Sequence, residues 1–211
     1  MIGGVGKIGG IGAAGTGNAS LVGSSNFYFN GTDQYATVLT NQTSAAWFVK
    51  TTFIMPALGK LNYIADSAGD SAIYVDASGN IKIDYTSSAS ALTTYNAGTV
   101  SAGSVVTLEM LEFSGILFVV TNNGSAGYGA AAHAAQEPYT RFGVKSGSGS
   151  SYFTGYILSF LKGQYVPGGS ILTYQNSYSF NEGSGTTFHD TVGSADATIV
   201  NLGSAGGGWD Y

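Results

Sequence analysis

The sequence predicts an all-β protein made of two antiparallel sheets packed face to face. Gly accounts for 33 of the 211 residues, Tyr for 14 and Phe for 11, whereas charged residues make up only 9%. This composition is typical of strand-rich chains with many tight turns. Strand-like runs recur at intervals of about 8–12 residues, and glycine or serine interrupts every apolar stripe with a helical period. Both observations favour a sandwich over a helical domain.

The individual strands can be placed along the chain from these patterns. The stretches "NFYFNG" and "TDQYATVL" predict a hairpin whose turn lies at Asn30 and Gly31, because Asn-Gly is the strongest short-range hairpin signal. The stretch "AAWFVKTTFIMP" predicts a long apolar strand that ends at Pro56. Further strands are predicted in "LNYIAD", in "SAIYVDASGNIKIDY" with an Ala-Ser-Gly-Asn turn, in "SVVTLEMLEFSGILFVVTNNG" and in "YFTGYILSFLKG".

The stretch "YSFNEGSGTTFHDTVGSADATIVN", residues 178–201, predicts two more strands around an elaborate loop. The loop concentrates ionisable side chains, namely Glu182, His189, Asp190 and Asp196. Three interpretations fit this pattern: a catalytic site, a metal site, or a corner of the sandwich held by turn residues.

The charge pattern argues against nucleic acid as a partner. The formal net charge is −5, and the few cations are scattered along the chain, so no basic patch can neutralise a row of phosphates. The absence of cysteine rules out disulfides and thiolate metal sites. The longest strongly apolar run, residues 115–120, is far shorter than the roughly 20 residues that cross a bilayer. We therefore expect no membrane insertion.

Residues 1–20 are interpreted as an extended, glycine-rich arm, and residues 21–211 as the sandwich domain. Residues 4–9 match the dinucleotide-binding fingerprint in form, but too few residues precede them to form a strand and more glycine follows, so this interpretation is rejected. Four aliphatic residues in the arm are spaced at three and could fill pockets on a partner: Ile2, Val5, Ile8 and Ile11.

The energetics of the arm predict docking only within an assembly. Burying each aliphatic side chain contributes roughly 1.5–3 kcal/mol. Ordering the backbone costs about 1–2 kcal/mol for every residue. Because the cost exceeds the gain, hydrogen bonds and neighbouring copies must contribute further.

Three stretches resemble laminin G-like domains, which have the concanavalin A-like jelly-roll fold. The stretch "FNGTDQYATV" is similar to the opening strand of that family, "VVTLEMLEFSGILFVVTNNG" resembles its central pair of long strands, and "FTGYILSFLKG" resembles its closing strand. Together they cover about residues 26–165. The resemblance implies a two-sheet antiparallel jelly-roll sandwich.

The C-terminal stretch extends this resemblance in a different order. In many such domains a segment like "YSFNEGSGTTFHDTVGSADATIVN" precedes the opening strand, whereas here it comes last and ends near Trp209. The order resembles a circular rearrangement of one sandwich, which a fold with neighbouring termini tolerates. With the arm in front, the arrangement resembles appendage and decoration proteins of tailed-bacteriophage particles. That resemblance implies a virion location, with other virion proteins and copies of the same chain as partners.

The pattern of carboxylates argues against an enzyme. Sandwich-fold glucan hydrolases need two carboxyl groups at a defined separation. Glu109 and Glu112 are the only close pair of glutamates, and an offset of three residues places them on opposite faces of a strand. His189 and Asp190 diverge as neighbours in a strand, and no nucleophile-elbow motif occurs. We therefore expect no catalytic residues.

Calcium is the one cofactor that the resemblance suggests, because laminin G-like domains often hold one calcium ion at the edge of the sandwich. Its oxygen ligands would come from Asp190, Asp196, Glu182 and Asp33. The competing interpretation is that Asp190 holds the turn after "GTTFH" and that Asp33 is an ordinary turn residue.

The aromatic residues divide into an expected core and an expected surface. Those in the most apolar strands are expected in the core: Trp47, Phe48, Phe53, Phe113, Phe118 and Phe160. Tyrosines in predicted turns are candidates for stacking on sugars or contacting neighbouring subunits: Tyr95, Tyr128, Tyr139 and Tyr152.

Two functions remain compatible with the sequence. In the first, the protein is a structural component of a bacteriophage virion, with its arm threaded into neighbouring subunits and its sandwich projecting outward. In the second, it is a carbohydrate-binding adhesion module that grips a cell-surface glycan. The arm favours the first function, because a free lectin has no need of one.

Overall fold

The computed structural model describes most of the chain after the expected arm. The described ranges are residues 26–38, 47–67, 71–86, 92–113, 116–122, 126–129, 139–145, 151–165, 172–203 and 206–209. The arm, residues 1–20, therefore lies outside them. The described residues form strands and turns without any helix, and so include no helix that could span a membrane.

Sixteen strands are formed by the described residues. In chain order they are β1 (Phe27–Asn30), β2 (Tyr35–Val38), β3 (Trp47–Ile54), β4 (Asn62–Asp66), β5 (Ala72–Val75), β6 (Asn80–Thr86), β7 (Leu92–Thr99), β8 (Val105–Phe113), β9 (Ile116–Thr121), β10 (Ala126–Gly129), β11 (Arg141–Phe142), β12 (Thr154–Tyr165), β13 (Leu172–Tyr178), β14 (Thr187–Phe188), β15 (Ala197–Val200) and β16 (Gly208–Trp209).

The strands form two eight-stranded antiparallel sheets. The first sheet has the order β10-β9-β8-β3-β12-β1-β16, and β13 also pairs with β12. The second sheet has the order β14-β15-β2-β11-β4-β5-β6-β7. Inward-facing side chains of both sheets form one hydrophobic core, so the predicted all-β, two-sheet sandwich is confirmed.

The core is rich in aromatic rings that meet edge to face. Phe27 contacts Phe29, Phe188 and Trp209 with ring centroids 4.9–5.2 Å apart, and Phe180 contacts Phe188 at 4.7 Å. Such contacts add to the burial of apolar area. The aromatic residues that join the first strand to the C-terminal segment therefore stabilise the sandwich.

The predicted hairpin between the first two strands is wrong. β1 belongs to the first sheet and pairs with β12, whereas β2 belongs to the second sheet and pairs with β11 and β15. The side-chain oxygen of Asn30 accepts hydrogen bonds from the backbone amides of Thr32, Asp33 and Gln34 at 2.9–3.3 Å. This Asx-type turn carries the chain from one sheet to the other instead of folding it back on itself.

The predicted turn between β5 and β6 is confirmed. Asp76 accepts hydrogen bonds from the amides of Ser78 and Asn80, both at 2.9 Å. Gly79 has a φ of +86°, a value that strongly favours glycine. The local turn chemistry of this segment therefore agrees with its tertiary structure.

The C-terminal segment lies beside the start of the sandwich, which is the placement that a circular rearrangement requires. β13 and β1 occupy the same edge of β12, one after the other, and the amide of Phe27 donates a 3.0 Å hydrogen bond to the carbonyl of Phe180. Trp209 in β16 is the ladder partner of Phe27. Residues more than 150 positions apart in sequence thus form one continuous part of the sheet.

Three of the predicted core aromatics lie in the core, Phe48 is buried at a groove on the outer face instead, and the side chain of Phe113 lies outside the described structure. Trp47, Phe53 and Phe160 belong to the core, each no more than 3% exposed. Phe118 is 36% exposed on the outer face of β9, where every second side chain points away from the core. The core prediction for Phe118 is therefore wrong, because its strand is apolar on both faces.

Candidate functional site

The C-terminal corner is organised by Asp190, which is 8% exposed. Its carboxylate accepts five hydrogen bonds of 2.7–3.3 Å, four from backbone amides and one from the side chain of Asn176. Burial alone would raise the pKa of Asp190. The hydrogen bonds from the amides of Gly193 and Ser177 and from Asn176 outweigh burial, so the pKa lies below its usual value.

A second set of hydrogen bonds involves the other ionisable residues of the loop. Asp196 accepts a 2.8 Å bond from the amide of Asp190 and lies 3.0 Å from Nδ1 of His189. These two contacts, in that order, lower the pKa of Asp196. Glu182 accepts a 2.9 Å bond from the amide of His189. These carboxylates hold the backbone of the corner in place.

Hydrogen bonds within the protein compete with calcium for the carboxylate of Asp190. A carboxylate has about four lone-pair positions, and five donors occupy those of Asp190. Asp33 lies in the Asn30 turn, where it accepts a 2.7 Å bond from the Asn30 side chain. Within the described ranges, no three His, Asp or Glu side chains are grouped so that they could hold a metal. The geometry supports the turn-holding role of Asp190.

The two glutamates of β8 point to opposite faces, as predicted. Glu109 lies on the outer face, half exposed, and forms a 2.6 Å ion pair with Lys50. Glu112 faces inward and is 1% exposed. The pair therefore cannot act together on one sugar, since a glycosidase needs both carboxyl groups on the same substrate.

The four predicted surface tyrosines are placed differently from one another. Tyr139 is 6% exposed and packs edge to face on Phe160, so its assignment to a surface site is corrected to a core position. Tyr95 is partly buried and packs against the same core. Tyr152 lies 6.3 Å from the ring of Tyr35. The side chain of Tyr128 lies outside the described structure.

The outer face of the second sheet carries a polar row that sequence reasoning missed. Residues in register across seven neighbouring strands form this row, and all but Ala72 are polar: Thr198, Thr37, Arg141, Asp66, Ala72, Asp84 and Thr94. We call this outer face, with the tyrosines described next, the tyrosine face. It brings hydroxyl, carboxylate and cationic groups together on one side of the sheet, where Asp66 and Ala72 are only 5% exposed.

Two tyrosines stack beside this polar row. The rings of Tyr63 and Tyr74 are nearly parallel, with an interplanar angle of 17° and their centroids 4.8 Å apart. Lys145 lies over the Tyr63 ring, with its nitrogen 5.6 Å from the ring centroid. Asp84 accepts a 2.6 Å hydrogen bond from Thr94 and a longer one of 3.4 Å from the hydroxyl of Tyr74.

The electrostatics of this cluster keep the tyrosines protonated. Burial, followed by the negative charge of Asp84, raises the pKa of Tyr74 to about 12. Burial and the charges of Asp84 and Asp66 also raise the pKa of Tyr63. A general base works best with a pKa near the operating pH. These phenols are therefore suited to donating hydrogen bonds and not to abstracting protons at neutral pH.

The signal for this face was present in the sequence. In "SAIYVDASGNIKIDY" the isoleucines and valine alternate with Tyr74, Lys82 and Asp84. The alternation places these three on one outer face, but nothing local shows that Tyr63 and Arg141 come from other strands to join them. Only the order of strands in the sheet brings the cluster together.

No protein-family model and no curated protein sequence matches the chain. Solved structures do share its architecture. A candidate carbohydrate-binding protein from Bacteroides ovatus superimposes with a TM-score of 0.65 and 10% identity, over 89% of this chain and 60% of that one. Domains LG4-5 of the mouse laminin alpha1 chain give a TM-score of 0.55 and 12% identity, over 74% of this chain and 43% of that one.

A heptameric SAP-like pentraxin from Limulus polyphemus gives a TM-score of 0.51 and 14% identity, over 84% of this chain and 96% of that one. The chain thus spans less than two thirds of the Bacteroides and laminin structures and almost all of the pentraxin. At these identities the likeness concerns the fold alone. The chain has the jelly-roll sandwich fold that is also found in laminin G domains and pentraxins.

Proposed function

We propose that this protein is a non-catalytic, glycan-binding component of a bacteriophage virion. The observation that carries the glycan-binding part is the tyrosine face, where the half-buried Tyr74 and Asp84 and the exposed Thr94 offer an aromatic ring, a carboxylate and a hydroxyl group. Tyr63 and Asp66, which are only 4–5% exposed, lie beside them. Sugars bind to such surfaces because their C–H groups pack on aromatic rings while their hydroxyls exchange hydrogen bonds with polar side chains. The candidate carbohydrate-binding role of the Bacteroides protein of similar fold agrees with this proposal.

Binding without turnover follows from the chemistry of the cluster. Asp66 and Asp84 both act on the Tyr63 ring electrostatically, but the neighbouring phenols have raised pKa values and remain protonated. These phenols can exchange hydrogen bonds with a sugar, but they are not bases matched to neutral pH. We therefore propose that a bound oligosaccharide leaves the site unchanged.

The virion part of the proposal rests on the sequence of the arm and on the resemblance to phage appendage proteins. In this role the tyrosine face would be turned toward a host-surface glycan, and the arm would contact other virion proteins. Mass spectrometry of purified particles would find the chain in stable stoichiometry with the structural proteins. If the chain remains in the cell lysate and not in the particles, the alternative of a free carbohydrate-binding adhesion module is correct.

A glycan array tests the binding part directly. The labelled full chain is applied to neutral and acidic oligosaccharides, and its best ligand is then titrated with variants. Tyr74→Ala and Asp84→Ala should weaken binding at least tenfold, because each removes a group of the cluster. Val192→Ala is the control, since Val192 is 50% exposed in the C-terminal corner. Equal binding by all variants, or loss only in the control, would refute the tyrosine face as the site.

A further inference from the structure

The outer face of the first sheet differs in chemistry from the tyrosine face. In β9 the outward residues Ile116, Phe118 and Val120 are 36–47% exposed, and Val105 in β8 is 43% exposed. We call this outer surface the apolar face. Apolar side chains on both faces of a strand are typical of strands that are covered by protein on both faces. Contiguous apolar surface of this kind marks a site of protein contact.

The apolar face continues as a row across the strands. Phe48, Leu111 and Phe118 are successive ladder partners in β3, β8 and β9. Beyond Phe48 the row opens into a shallow groove of about 450 Å³, whose lining includes Leu161 and Tyr174. An elongated apolar segment laid across the strands would follow this row into the groove.

The charges on the apolar face permit contact between copies of the chain. Lys50 and Glu109 form a 2.6 Å ion pair at the groove, so their charges cancel. The whole chain has a net charge of −5, which disfavours close approach of two copies through most other surfaces. A neutral, apolar surface is where two copies can meet with the least repulsion.

The N-terminal arm has the spacing that this row requires. In an extended helix with three residues per turn, Ile2, Val5, Ile8 and Ile11 share one side, with successive side chains ~9.3 Å apart. Neighbouring strands are ~4.8 Å apart, so alternate strands are ~9.6 Å apart. Each aliphatic side chain of an arm that crosses the sheet would therefore meet every second strand.

The length of the connecting segment lets the arm reach a neighbouring molecule. Residues 12–25 separate the arm's aliphatic residues from β1 and can span roughly 46 Å when extended. The distance from β1 to β9 within one sheet is only four strand spacings, or ~19 Å. The segment is thus long enough for the arm to reach this face on its own sandwich or on a second molecule, and reciprocal exchange between two copies would supply the additional contacts that its ordering requires.

We propose that the apolar face is the docking site for residues 2–11 of a second copy of this chain. The side chains of the arm cover Phe118 and Val120, and the groove beside Phe48 receives the end of the row. The inference does not depend on glycan binding, because the tyrosine face lies on the other sheet.

The test is self-association of the full chain, measured by light scattering over a range of concentrations. The unmodified protein should associate into particles of at least two copies. At the same concentration, the double variants Ile8→Ser/Ile11→Ser and Phe118→Gln/Val120→Gln should be monomeric. A variant that carries all four substitutions should dissociate no further than either double variant, because both pairs of substitutions remove the same contact. Val192→Gln, which changes a 50% exposed valine in the C-terminal corner, is the control and should associate like the unmodified chain.

Two results would overturn the proposal. One is association that persists in either double variant. The other is a monomeric unmodified chain whose arm resists protease until Phe118 and Val120 are changed, which would show that the arm binds its own sandwich. Glycan titration of the same variants separates the two proposals. Loss of association with intact glycan binding supports the docking site alone, whereas loss of both would show that the glycan site depends on assembly.

Discussion

Asp190 shows how one side chain defines a corner of the sandwich. Its carboxylate joins β13 to the loop that follows β14, through the amides of Ser177 and Gly193 among others. Buried amides left without an acceptor cost free energy comparable to lost hydrogen bonds. The ionisable residues of this loop are therefore explained by its architecture, and a catalytic role is not required to account for them.

Replacing Asp190 with Asn should destabilise the protein by about 2–4 kcal/mol at pH 7, because hydrogen bonds to a charged acceptor are lost. The folded pKa is lower than the unfolded one, so this stability is present above about pH 4 and is lost as the pH falls further. Urea unfolding at pH 7 and pH 3 should show the difference between the two chains shrinking at pH 3. Glu109→Gln, which removes an exposed ion pair, is the control and should change stability by less than about 1 kcal/mol. A pH-independent difference would contradict the role of the charge.

The calcium interpretation of this corner can be tested directly. Because the carboxylate of Asp190 is saturated, we expect millimolar calcium to leave the melting temperature unchanged relative to chelator. A ligand that binds only the folded state would raise it by mass action. If calcium does raise the melting temperature and Asp196→Asn abolishes the effect, the metal interpretation is correct and Glu182 is its next candidate ligand.

At the scale of single elements, β12 is the strand that organises the first sheet. It pairs with β3 along one edge and with β1 and β13 along the other. Gly155 lies where β12 contacts both β1 and β3, with a φ of +134°. A Cβ atom there would lie well inside the contact distance of the Ile54 carbonyl oxygen.

Gly155→Ala should therefore destabilise the protein by about 3 kcal/mol or more, from backbone strain and from the clash with Ile54. Gly103→Ala is the matched control, because Gly103 has a φ of +78° but no atom near the added Cβ. The control should cost only about 1–2 kcal/mol. The two variants are compared by denaturant midpoint. Equal effects would show that φ alone matters and that the packing of β12 on β3 tolerates the added methyl group.

At the scale of the whole molecule, the two sheets present outer faces of different chemistry. The second sheet shows stacked tyrosines and a polar row, whereas the first shows exposed valine, isoleucine and phenylalanine. A protein that binds one partner through each face needs this asymmetry. The two outer faces therefore suit the two different contacts proposed above, a glycan on the second sheet and a second copy of the chain on the first.

The order of elements along the chain predicts that the sandwich tolerates circular permutation. A chain that starts at residue 172 and continues from residue 211 through a short Gly-Ser linker into residue 26 should keep the fold, because Trp209 and Phe27 are already ladder partners. Circular dichroism and cooperative thermal unfolding would confirm this. A second permutant with its ends between Val49 and Lys50 is the control and should not fold, since it cuts the central strand β3. If both fail, the C-terminal segment depends on its natural connection.

Sequence alone determined the elements whose signals are local. Long apolar or strand-like runs identified β3, β8 and β12, and the Ala-Ser-Gly-Asn turn was recognised from its own residues. The opposite orientation of Glu109 and Glu112 followed from the two-residue period of a strand. These features depend only on neighbours in the chain, so a short window of sequence contains their cause.

The tertiary structure decided everything that depends on which strands meet. The Asn30 turn looks the same locally whether it closes a hairpin or changes sheets, and only the pairing of β2 with β11 and β15 distinguishes the two. Tyr139 became a core residue, and Tyr63 and Tyr74 became neighbours, through the packing and pairing of distant segments. Strand order and register are set by the burial of the whole core, and no local pattern encodes that sum of long-range contacts.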